Sequence, residues 1–450
     1  MNQDTAKAKC QCEICKNEHT IDIDSDLVNE LLAGNVTIFA GAGISTESRL
    51  VLKETFYEQI LQEVGGKAAN LTFPELMELY CSTPNGRIKL LQKIASRFRT
   101  ISAFPEMDGV ASRFHHELAT LFPIKNIITT NWDTYFETVC KATPFVTHAD
   151  LAFWEGAERR VLKIHGSVSN YGSIIATSSD YKKCKKSLST DLIGSLLKSI
   201  LATQTVIFVG YSMSDADFNY IYSFVKKQMQ GMHRQAYVVT PFSKDADRFR
   251  VIGLTPLKTD GAHFFSLIKA HAVSAGLMLP DDIYDSAFQL LANVFREHKI
   301  LHEEFSAATN PEIIYAAAYQ DGLMHSLERA LSLRGTGEYS NKRRLHNVVH
   351  SYLSIQKEKI SQGKYEDVSY IEGYINGLVF LLTDGHEKVI SQIPLYYSPG
   401  VDQDMLSISD YKNNIKNIPA AHKRAYKRAH AYVKRQNTAS GIEYHHPAWL

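Results

Sequence analysis

The chain has 450 residues, of which 44% are apolar and 22% are charged. This composition is typical of a folded globular protein, and the length leaves room for two or three domains. Basic and acidic residues nearly balance, so the formal net charge is only +1. A balance this even gives the chain as a whole no general attraction to nucleic acid or to an anionic membrane.

The sequence contains no apolar run long enough to predict a membrane span, and its N-terminus is polar rather than signal-like. We therefore expect a cytoplasmic protein. Six cysteines are too few for a disulfide framework in a chain of this size.

Three cysteines lie close together in an N-terminal segment that we delimit as residues 1–24: Cys10, Cys12 and Cys15. One interpretation is a zinc site, in which these thiols are joined by a ligand from elsewhere in the chain. The other is a polar terminus that happens to contain thiols. Zinc sites of this kind usually have a second ligand pair, which does not follow here, so we assign no metal.

Helical and strand patterns alternate through residues 25–275. The predicted helices are 26–32, 56–64, 73–80, 88–98, 115–121 and 263–269, and the predicted strands are 35–39, 126–129, 161–164, 205–209 and 236–239, with a closing strand near Pro256. β-Branched runs that alternate with helices predict a doubly wound, Rossmann-like parallel sheet in an α/β domain. The helices between residues 54 and 121 have no strand among them, which predicts a small helical lobe or lid over the crevice.

The rest of the chain, residues 276–450, shows helical periodicity almost throughout. The clearest stretches are 287–295, 313–331, 345–359 and 368–382. No strand in this half is followed by a glycine-rich turn. We therefore expect a separate α-helical C-terminal domain with a sensing or assembly role.

The most informative stretch is residues 37–48, Thr-Ile-Phe-Ala-Gly-Ala-Gly-Ile-Ser-Thr-Glu-Ser. An apolar strand ends there in Gly41, Ala42 and Gly43, a turn with small side chains and backbone N–H groups that a pyrophosphate can approach closely. A plain tight turn is the alternative, because glycines often follow strands for that reason alone.

Three later segments favour the nucleotide interpretation: Thr-Thr-Asn-Trp-Asp at 129–133, Lys-Ile-His-Gly-Ser at 163–167 and Phe-Val-Gly-Tyr-Ser at 208–212. Together with Gly-Ala-Gly-Ile-Ser, and in this order, they resemble the motifs of the sirtuin family. Each is a strand followed by a polar turn, so in an open parallel sheet all four converge on one crevice. The resemblance covers roughly residues 25–275 and implies a sirtuin-like domain that binds NAD.

Two residues are the candidates for catalysis. Asn131 stands at a strand end, where its amide could bond the ribose next to nicotinamide or hold an attacking water. His165 follows an apolar strand, and imidazole suits general-base work near neutral pH. The sirtuin resemblance implies that His165 takes a proton from a ribose hydroxyl and that Asn131 positions the ribose and the water.

The candidate NAD-binding residues near the first turn begin with the backbone of Gly41, Ala42 and Gly43. Ser45 could add a hydroxyl contact. Asp133 could bond the carboxamide of nicotinamide, but an aspartate at that point is also a natural helix N-cap, and both interpretations stay open.

The second strand-to-helix turn supplies three more candidates. Gly210 and Ser212 match a Gly-x-Ser turn that, by the resemblance, contacts the distal phosphate and the adenosine ribose. Asp215 is either a further ligand contact or a helix N-terminal residue that interacts favourably with the helix dipole.

Two departures separate the chain from protein deacetylases. Deacetylating sirtuins continue after the first motif with Gly-Ile-Pro-Asp-Phe-Arg, whereas residues 49–52 here are Arg-Leu-Val-Leu. Their zinc module, between the His-Gly and Gly-x-Ser segments, carries two Cys-x-x-Cys pairs. The corresponding residues 167–209 here contain a single cysteine, Cys184. An enzyme that keeps the NAD site without the peptide groove would pass the ribosyl cation to water.

The divergent pattern is similar to the sirtuin-like NADases of bacterial anti-phage defence. It implies an NAD+ hydrolase that releases nicotinamide and ADP-ribose and depletes cellular NAD+ when triggered. We expect such a protein to form a homo-oligomer or to work with a partner protein of a defence system.

Two other functions stay open. The pocket could bind NAD or ADP-ribose without catalysis and act as a sensor. The protein could also be an assembly subunit associated with nucleic acid, since a predicted helix over residues 421–435 places six lysines and arginines on one face. A solvated helix face is the plainer interpretation of that charge.

Overall fold

The computed structural model describes residues 8–9, 20–21, 23–65, 68, 70–210, 223, 226–227, 229–230, 234–383, 390–416 and 423–436. Three cysteines and two candidate site residues therefore lie outside the described residues: Cys10, Cys12, Cys15, Ser212 and Asp215. The chain forms two compact units, Met1–Ala272 and Val273–Leu450. The functional domains drawn from the sequence, at residues 1–24, 25–275 and 276–450, stay a prediction.

The first unit contains a two-stranded antiparallel pair and a seven-stranded sheet. Its strands are β1 Ala8–Lys9, β2 Thr20–Ile21, β3 Val36–Ala40, β4 Asn126–Thr129, β5 Thr143–Phe145, β6 Arg160–Lys163, β7 Thr205–Val209, β8 Ala236–Val239 and β9 Thr255–Leu257. Its helices are α1 Ser25–Ala33, α2 Phe56–Val64, α3 Phe73–Cys81, α4 Gly86–Ala103, α5 Pro105–Ala119, α6 Tyr135–Thr138, α7 Ser178–Thr190, α8 Leu192–Thr203, α9 Ser243–Val251 and α10 Gly261–Ser274.

The large sheet has the strand order β5-β6-β4-β3-β7-β8-β9, and every neighbouring pair is parallel. The chain builds outward from β3 on one side and then crosses to β7 on the other side of β3. The junction of β3 and β7 is therefore the topological switch point, where open α/β sheets bind their ligands. The predicted Rossmann-like sheet is confirmed.

Every residue of β3 and of β7 is buried. A parallel sheet needs this, because helices cover both of its faces and its central strands become continuous apolar runs. The short edge strand β5 was not among the predicted strands. It contains Pro144, which cannot donate to a ladder and is tolerated at a sheet edge.

Helices α2 to α5 follow one another without a strand, as the sequence predicted. Their apolar core includes Phe56 and also takes in Trp132, which follows β4. Glu47, just after the glycine turn, ties the lobe down: it accepts hydrogen bonds from Arg97 Nε at 3.0 Å and from the Phe56 N–H at 2.8 Å. Burial raises the pKa of Glu47, and the charge of Arg97 opposes that shift. Whether this lobe acts as a lid stays a prediction.

Helix α5 begins at Pro105, ten residues before the predicted start at residue 115. Proline suits the first turn of a helix, because its fixed φ is helical and its missing N–H would have had no partner there. The longer helix places His115 within the folded interior rather than at a helix start.

The second unit is helical, which confirms the predicted helical C-terminal region. Its helices are α11 Ile283–Glu304, α12 Ile313–Ser332, α13 Lys342–Gln362, α14 Tyr365–Leu382, α15 Ile408–Ile415 and α16 Lys423–Gln436. Helices α12 and α14 form its centre, with buried tyrosines such as Tyr319 and Tyr370 in one apolar core. The Tyr319 hydroxyl donates to the Pro394 carbonyl at 2.7 Å, which satisfies a polar group inside that core. No helix in the described part of the chain is long and apolar enough to cross a membrane.

His115 of α5 generates a prediction about pH. Its ring is buried against Phe114, Tyr135 and Phe136, and this burial lowers its pKa from 6.5 to about 4. The folded protein therefore keeps His115 neutral where the unfolded chain binds a proton. The contribution of His115 to the free energy of unfolding is fully present above about pH 6.5. It is lost as the pH drops toward 4, by on the order of 3 kcal/mol.

The measurement is the free energy of unfolding in urea between about pH 7 and pH 4.5. His115→Gln should make the decline shallower by on the order of 2 kcal/mol. His116→Gln, at the neighbouring exposed position, is the control and should keep the wild-type slope. Equal slopes in both variants would contradict the assignment to His115.

Candidate active site

The candidate residues follow four adjacent strands, in the order β6-β4-β3-β7. Gly41 follows β3, Asn131 follows β4, His165 follows β6 and Gly210 follows β7. Because the strands are parallel, all four positions lie along one edge of the sheet.

The turn after β3 packs directly on the turn after β7. The Gly41 N–H donates to the Val209 carbonyl at 2.9 Å, and the Gly43 N–H donates to the Gly210 carbonyl at 3.0 Å. The sequence predicted that these two N–H groups could hold a pyrophosphate. In the structure both are already used as donors within the protein. Their contribution in this structure is to join the two turns, while Ala42 and Gly43 stay accessible to solvent.

Gly210 is required by both conformation and space. Its φ is +61°, a left-handed value that residues with a Cβ seldom adopt. A Cβ built on Gly210 would lie 2.6 Å from Ile44 N and 3.0 Å from Gly41 O, both backbone atoms. The close approach of the two turns thus leaves room only for glycine.

A buried hydrogen-bond network joins the turn after β3 to the segment after β4. Ser45 is fully buried, and its hydroxyl donates to Asp133 Oδ2 at 2.8 Å and accepts from Asn131 Nδ2 at 3.3 Å. Asp133 Oδ1 accepts from the Tyr135 N–H at 3.3 Å, where α6 begins. The carboxylate of Asp133 thus accepts a hydrogen bond from the first turn of α6, as a helix-capping residue does. Its contact with NAD stays a prediction.

The oxygen of the Asn131 amide differs from its nitrogen in hydrogen bonding. Asn131 is 3% exposed, and its Oδ1 has no hydrogen-bond partner among the described residues. An unsatisfied buried acceptor costs free energy, about 1–3 kcal/mol, unless a ligand or water completes it. With Nδ2 held by Ser45, the amide is oriented and Oδ1 can accept a hydrogen bond from a ribose hydroxyl or a water.

His165 is equally buried, at 3% exposure. Its ring meets the ring of Tyr181 edge to face, with centroids 5.0 Å apart, and its carbonyl accepts from the Ile175 N–H at 3.0 Å. Tyr181 belongs to α7, so a helix from the next segment of chain supports the imidazole. Sequence reasoning missed Tyr181, because nothing local connects it to His165.

A second omission is Lys163, which the sequence analysis treated only as part of a strand. Its side chain is 0% exposed, and its Nζ donates to Glu137 Oε1 at 2.9 Å and to the Asp133 carbonyl. A lysine inside an otherwise apolar strand was the available signal, because lysine is almost never fully buried unless it is paired.

Residues 164–204, between β6 and β7, are all described and contain no strand. Residues 178–203 form α7 and α8, and Cys184 packs among the buried residues of the sheet's core. In the described ranges no group of three or more histidines, cysteines, aspartates or glutamates is arranged to hold a metal ion.

A surface groove of about 400 Å³ lies between α4 and residues 168–171. Phe98, Arg99, Val168 and Tyr171 are among its lining residues, whereas Asn131 and His165 are not. We assign it no role.

A doubly wound parallel sheet, with two glycine turns packed at its switch point and oriented polar groups beside them, defines a Rossmann-like α/β protein with a candidate dinucleotide site. Comparison with known proteins narrows this class. The family model described as "SIR2-like domain" matches residues 125–254. Over this segment the chain is therefore similar to SIR2-like domains, and the predicted sirtuin resemblance is confirmed.

Three relatives show how far the similarity extends. "NAD(+) hydrolase ThsA" of Bacillus cereus (strain MSX-D12) is 27% identical over 222 residues, which cover 47% of this chain and 44% of the relative. "Defense-associated sirtuin 2" of Bacillus subtilis is 23% identical over 234 residues, which cover 50% of this chain and 22% of the relative. "NAD(+) hydrolase ThsA" of Acinetobacter baumannii (strain 532279) is 24% identical over 271 residues, covering 57% and 51%. The chain thus spans about half or less of the length of these relatives.

The contact between the two turns predicts the effect of a methyl group at Gly210. Gly210→Ala should lower the free energy of unfolding by about 3 kcal/mol or more, because it adds a steric clash with backbone to the strain of a positive φ. Gly276 has a similar φ of +70°, but no atom lies within 4 Å of the position that a methyl group would take there. Gly276→Ala should therefore cost only about 1 kcal/mol. Urea unfolding measures both, and equal losses would contradict the close packing of the turns.

Proposed function

We propose that this protein is an NAD+ hydrolase that cleaves the bond between nicotinamide and ribose. The observation that carries the proposal is the oriented, buried amide of Asn131, with an acceptor oxygen left for substrate, beside the glycine turn at the switch point. Relatives named NAD(+) hydrolase support the same reaction. NAD+ is the substrate in this proposal.

The bond that breaks joins C1′ of the ribose to the ring nitrogen of nicotinamide. Both electrons of that bond go to the nitrogen, which neutralises the pyridinium charge and leaves an oxocarbenium-like ribose. A water oxygen then bonds to C1′ and releases one proton. The products are nicotinamide, ADP-ribose and that proton.

In this proposal Asn131 Oδ1 accepts a hydrogen bond from the attacking water or from a ribose hydroxyl. Ser45 holds the amide so that its oxygen rather than its nitrogen is presented. His165 is the general base and accepts a proton from a ribose hydroxyl, as the sirtuin resemblance implies, since a neutral imidazole accepts protons near neutral pH. Ala42 and Gly43 lie where the pyrophosphate would approach, because their turn is open to solvent at the switch point.

Water is the acceptor that we favour over an acetyl-lysine peptide. Deacetylating sirtuins bind their peptide as an added strand, and such binding needs an exposed strand edge near the reacting carbon. Here residues 178–203, between the His165 strand and β7, are occupied by two helices. This arrangement supports hydrolysis over transfer to a protein.

The relative named Defense-associated sirtuin 2 supports a defence role. We infer that the protein is an anti-phage effector of the cytoplasm that depletes NAD+ when triggered. The helical C-terminal unit would then sense the trigger, or hold a homo-oligomer or a partner protein together.

The experiment is NAD+ turnover by the purified full-length protein, with nicotinamide and ADP-ribose quantified. Asn131→Ala and His165→Ala should each lower kcat by roughly 10²- to 10⁴-fold, the usual range for loss of a general base or a positioned water. Asn347→Ala and His116→Ala change the same residue types at exposed positions and should leave kcat unchanged.

Two outcomes would contradict the proposal. Tight NAD+ binding without turnover, even in the presence of an activating infection lysate, would favour a sensor of NAD or ADP-ribose. Turnover that survives both substitutions in folded variants would place the chemistry elsewhere.

A second candidate function rests on α16. Ala425 and Ala429 are buried, and the Tyr315 hydroxyl donates to the Ala425 carbonyl, so one face of the helix is fixed to its own unit. The other face exposes the basic side chains of Arg424, Lys427 and Lys434. None of these three forms an ion pair with another described residue. An unneutralised basic stripe supports binding of nucleic acid through phosphates.

Charge reversal tests this surface. The triple variant Arg424→Glu, Lys427→Glu and Lys434→Glu should weaken binding to a fluorescent DNA duplex and make the slope of log K against log salt shallower by about 3. The control variant Lys299→Glu, Lys342→Glu and Lys357→Glu makes the same change in net charge on other helices. Equal effects of the two variants, or no binding by the wild type, would leave α16 as a solvated helix.

A further inference from the structure

Lys163 is a buried cation at the centre of the site. It ends β6 two residues before His165, and its side chain has no exposed surface. Burying an ammonium group is costly unless its charge is paired and its donors are used. Lys163 meets that requirement through Glu137 Oε1, 2.9 Å away, and the carbonyl of Asp133.

Both partners of Lys163 belong to the segment that follows the neighbouring strand β4. Asp133 lies two residues after Asn131, and Glu137 lies in α6, the helix that begins there. The ammonium therefore joins the strand that leads to His165 to the segment that carries Asn131. Two backbone bonds tie the same segments together: the Ile164 N–H to Thr129 O at 3.1 Å and the Val168 N–H to Trp132 O at 2.9 Å.

The side-chain pair adds a contact on the α6 side of Asn131. The backbone bonds meet Thr129 and Trp132, on either side of Asn131, whereas Lys163 contacts Asp133 and Glu137, further toward and within α6. Burial raises the pKa of Glu137, and the charge and hydrogen bond of Lys163 oppose that shift. A charged, hydrogen-bonded pair in a buried setting has a narrower range of positions than an apolar contact.

We propose that Lys163 and Glu137 are positioning residues that set the placement of the Asn131 amide relative to the His165 imidazole. The inference rests on the proposed NAD+ hydrolysis for its kinetic consequence. Neither residue touches substrate in this account. Their effect falls on kcat, because misplacement of a reacting group by about 1 Å can cost roughly 100-fold in rate.

The same two strands provide a matched control at their other end. Lys125 precedes β4 and Glu158 precedes β6, and their side chains form an ion pair at 3.4 Å. This pair also links β4 to β6, but at the amino ends and on the surface, far along the strands from Asn131 and His165. Exposed pairs contribute little to stability, about 0–1 kcal/mol.

The kinetic experiment compares Lys163→Met, Glu137→Gln and Lys125→Met. Lys163→Met should lower kcat by about 100-fold with KM changed less than about threefold. Glu137→Gln keeps the size of the side chain and an acceptor oxygen, so it should fold and lose about tenfold in kcat. The double variant should lose about as much as Lys163→Met alone, because the two residues act as a unit. Lys125→Met should keep the wild-type kcat.

A second measurement separates this inference from the proposed function. With asparagine selectively labelled, the Asn131 side-chain amide signals should shift in Glu137→Gln and stay in place in Lys125→Met, whether or not the protein hydrolyses NAD+. If the wild type showed no turnover, the hydrolase proposal would fail, but the Asn131 amide signals would still test the positioning role. Unshifted Asn131 signals, a loss confined to KM, or equal losses in Lys125→Met would overturn the positioning role.

Discussion

The packing of the turn at Gly41 and Gly43 against Gly210 is the constraint on which the rest of the site depends. Two backbone hydrogen bonds, of 2.9 and 3.0 Å, join the end of β3 to the end of β7. Since the chain changes direction across the sheet between these strands, the contact fixes the crevice at the switch point. It also directs the following residues inward, which explains why Ser45 is fully buried only two positions after an exposed glycine.

From Ser45 the constraint passes across the sheet through buried polar groups. Ser45 holds Asn131 and Asp133, and Lys163 holds the same segment to the strand that leads to His165. Each of these groups is costly to bury, and each is stabilised by the next. Such a network has few alternative arrangements, so it can hold the Asn131 amide in one orientation. Within this chain of contacts the acceptor oxygen of Asn131 has no hydrogen-bond partner among the described residues.

Local patterns in the sequence predicted every strand of the large sheet except β5. β-Branched runs predicted β4, β7 and β8 with the bounds that the structure has, because a buried strand of a parallel sheet is a continuous apolar run bounded by turns. The four motifs could be assigned to one crevice for the same reason: each is a short strand with a polar turn at its end. The edge strand β5 carried no such pattern, since it is three residues long and contains a proline.

The contacts within the site could not be predicted, because they join residues that are distant in sequence. Lys163 is 26 residues from Glu137, and Ser45 is 88 residues from Asp133. The N–H groups of Gly41 and Gly43 were expected to be free because a turn seen alone leaves them so. Only the neighbouring strand β7 shows that they are used. Pattern locates a site, whereas the pairing of its polar atoms depends on tertiary packing.

The central claim is that water receives the ribose of NAD+ in this site. The most direct test is turnover in ¹⁸O-labelled water, with the products separated and weighed by mass spectrometry. The account predicts equal amounts of nicotinamide and ADP-ribose, with one labelled oxygen on the ADP-ribose. Intact NAD+, or nicotinamide released while the ADP-ribose is unlabelled or attached to another molecule, would contradict it.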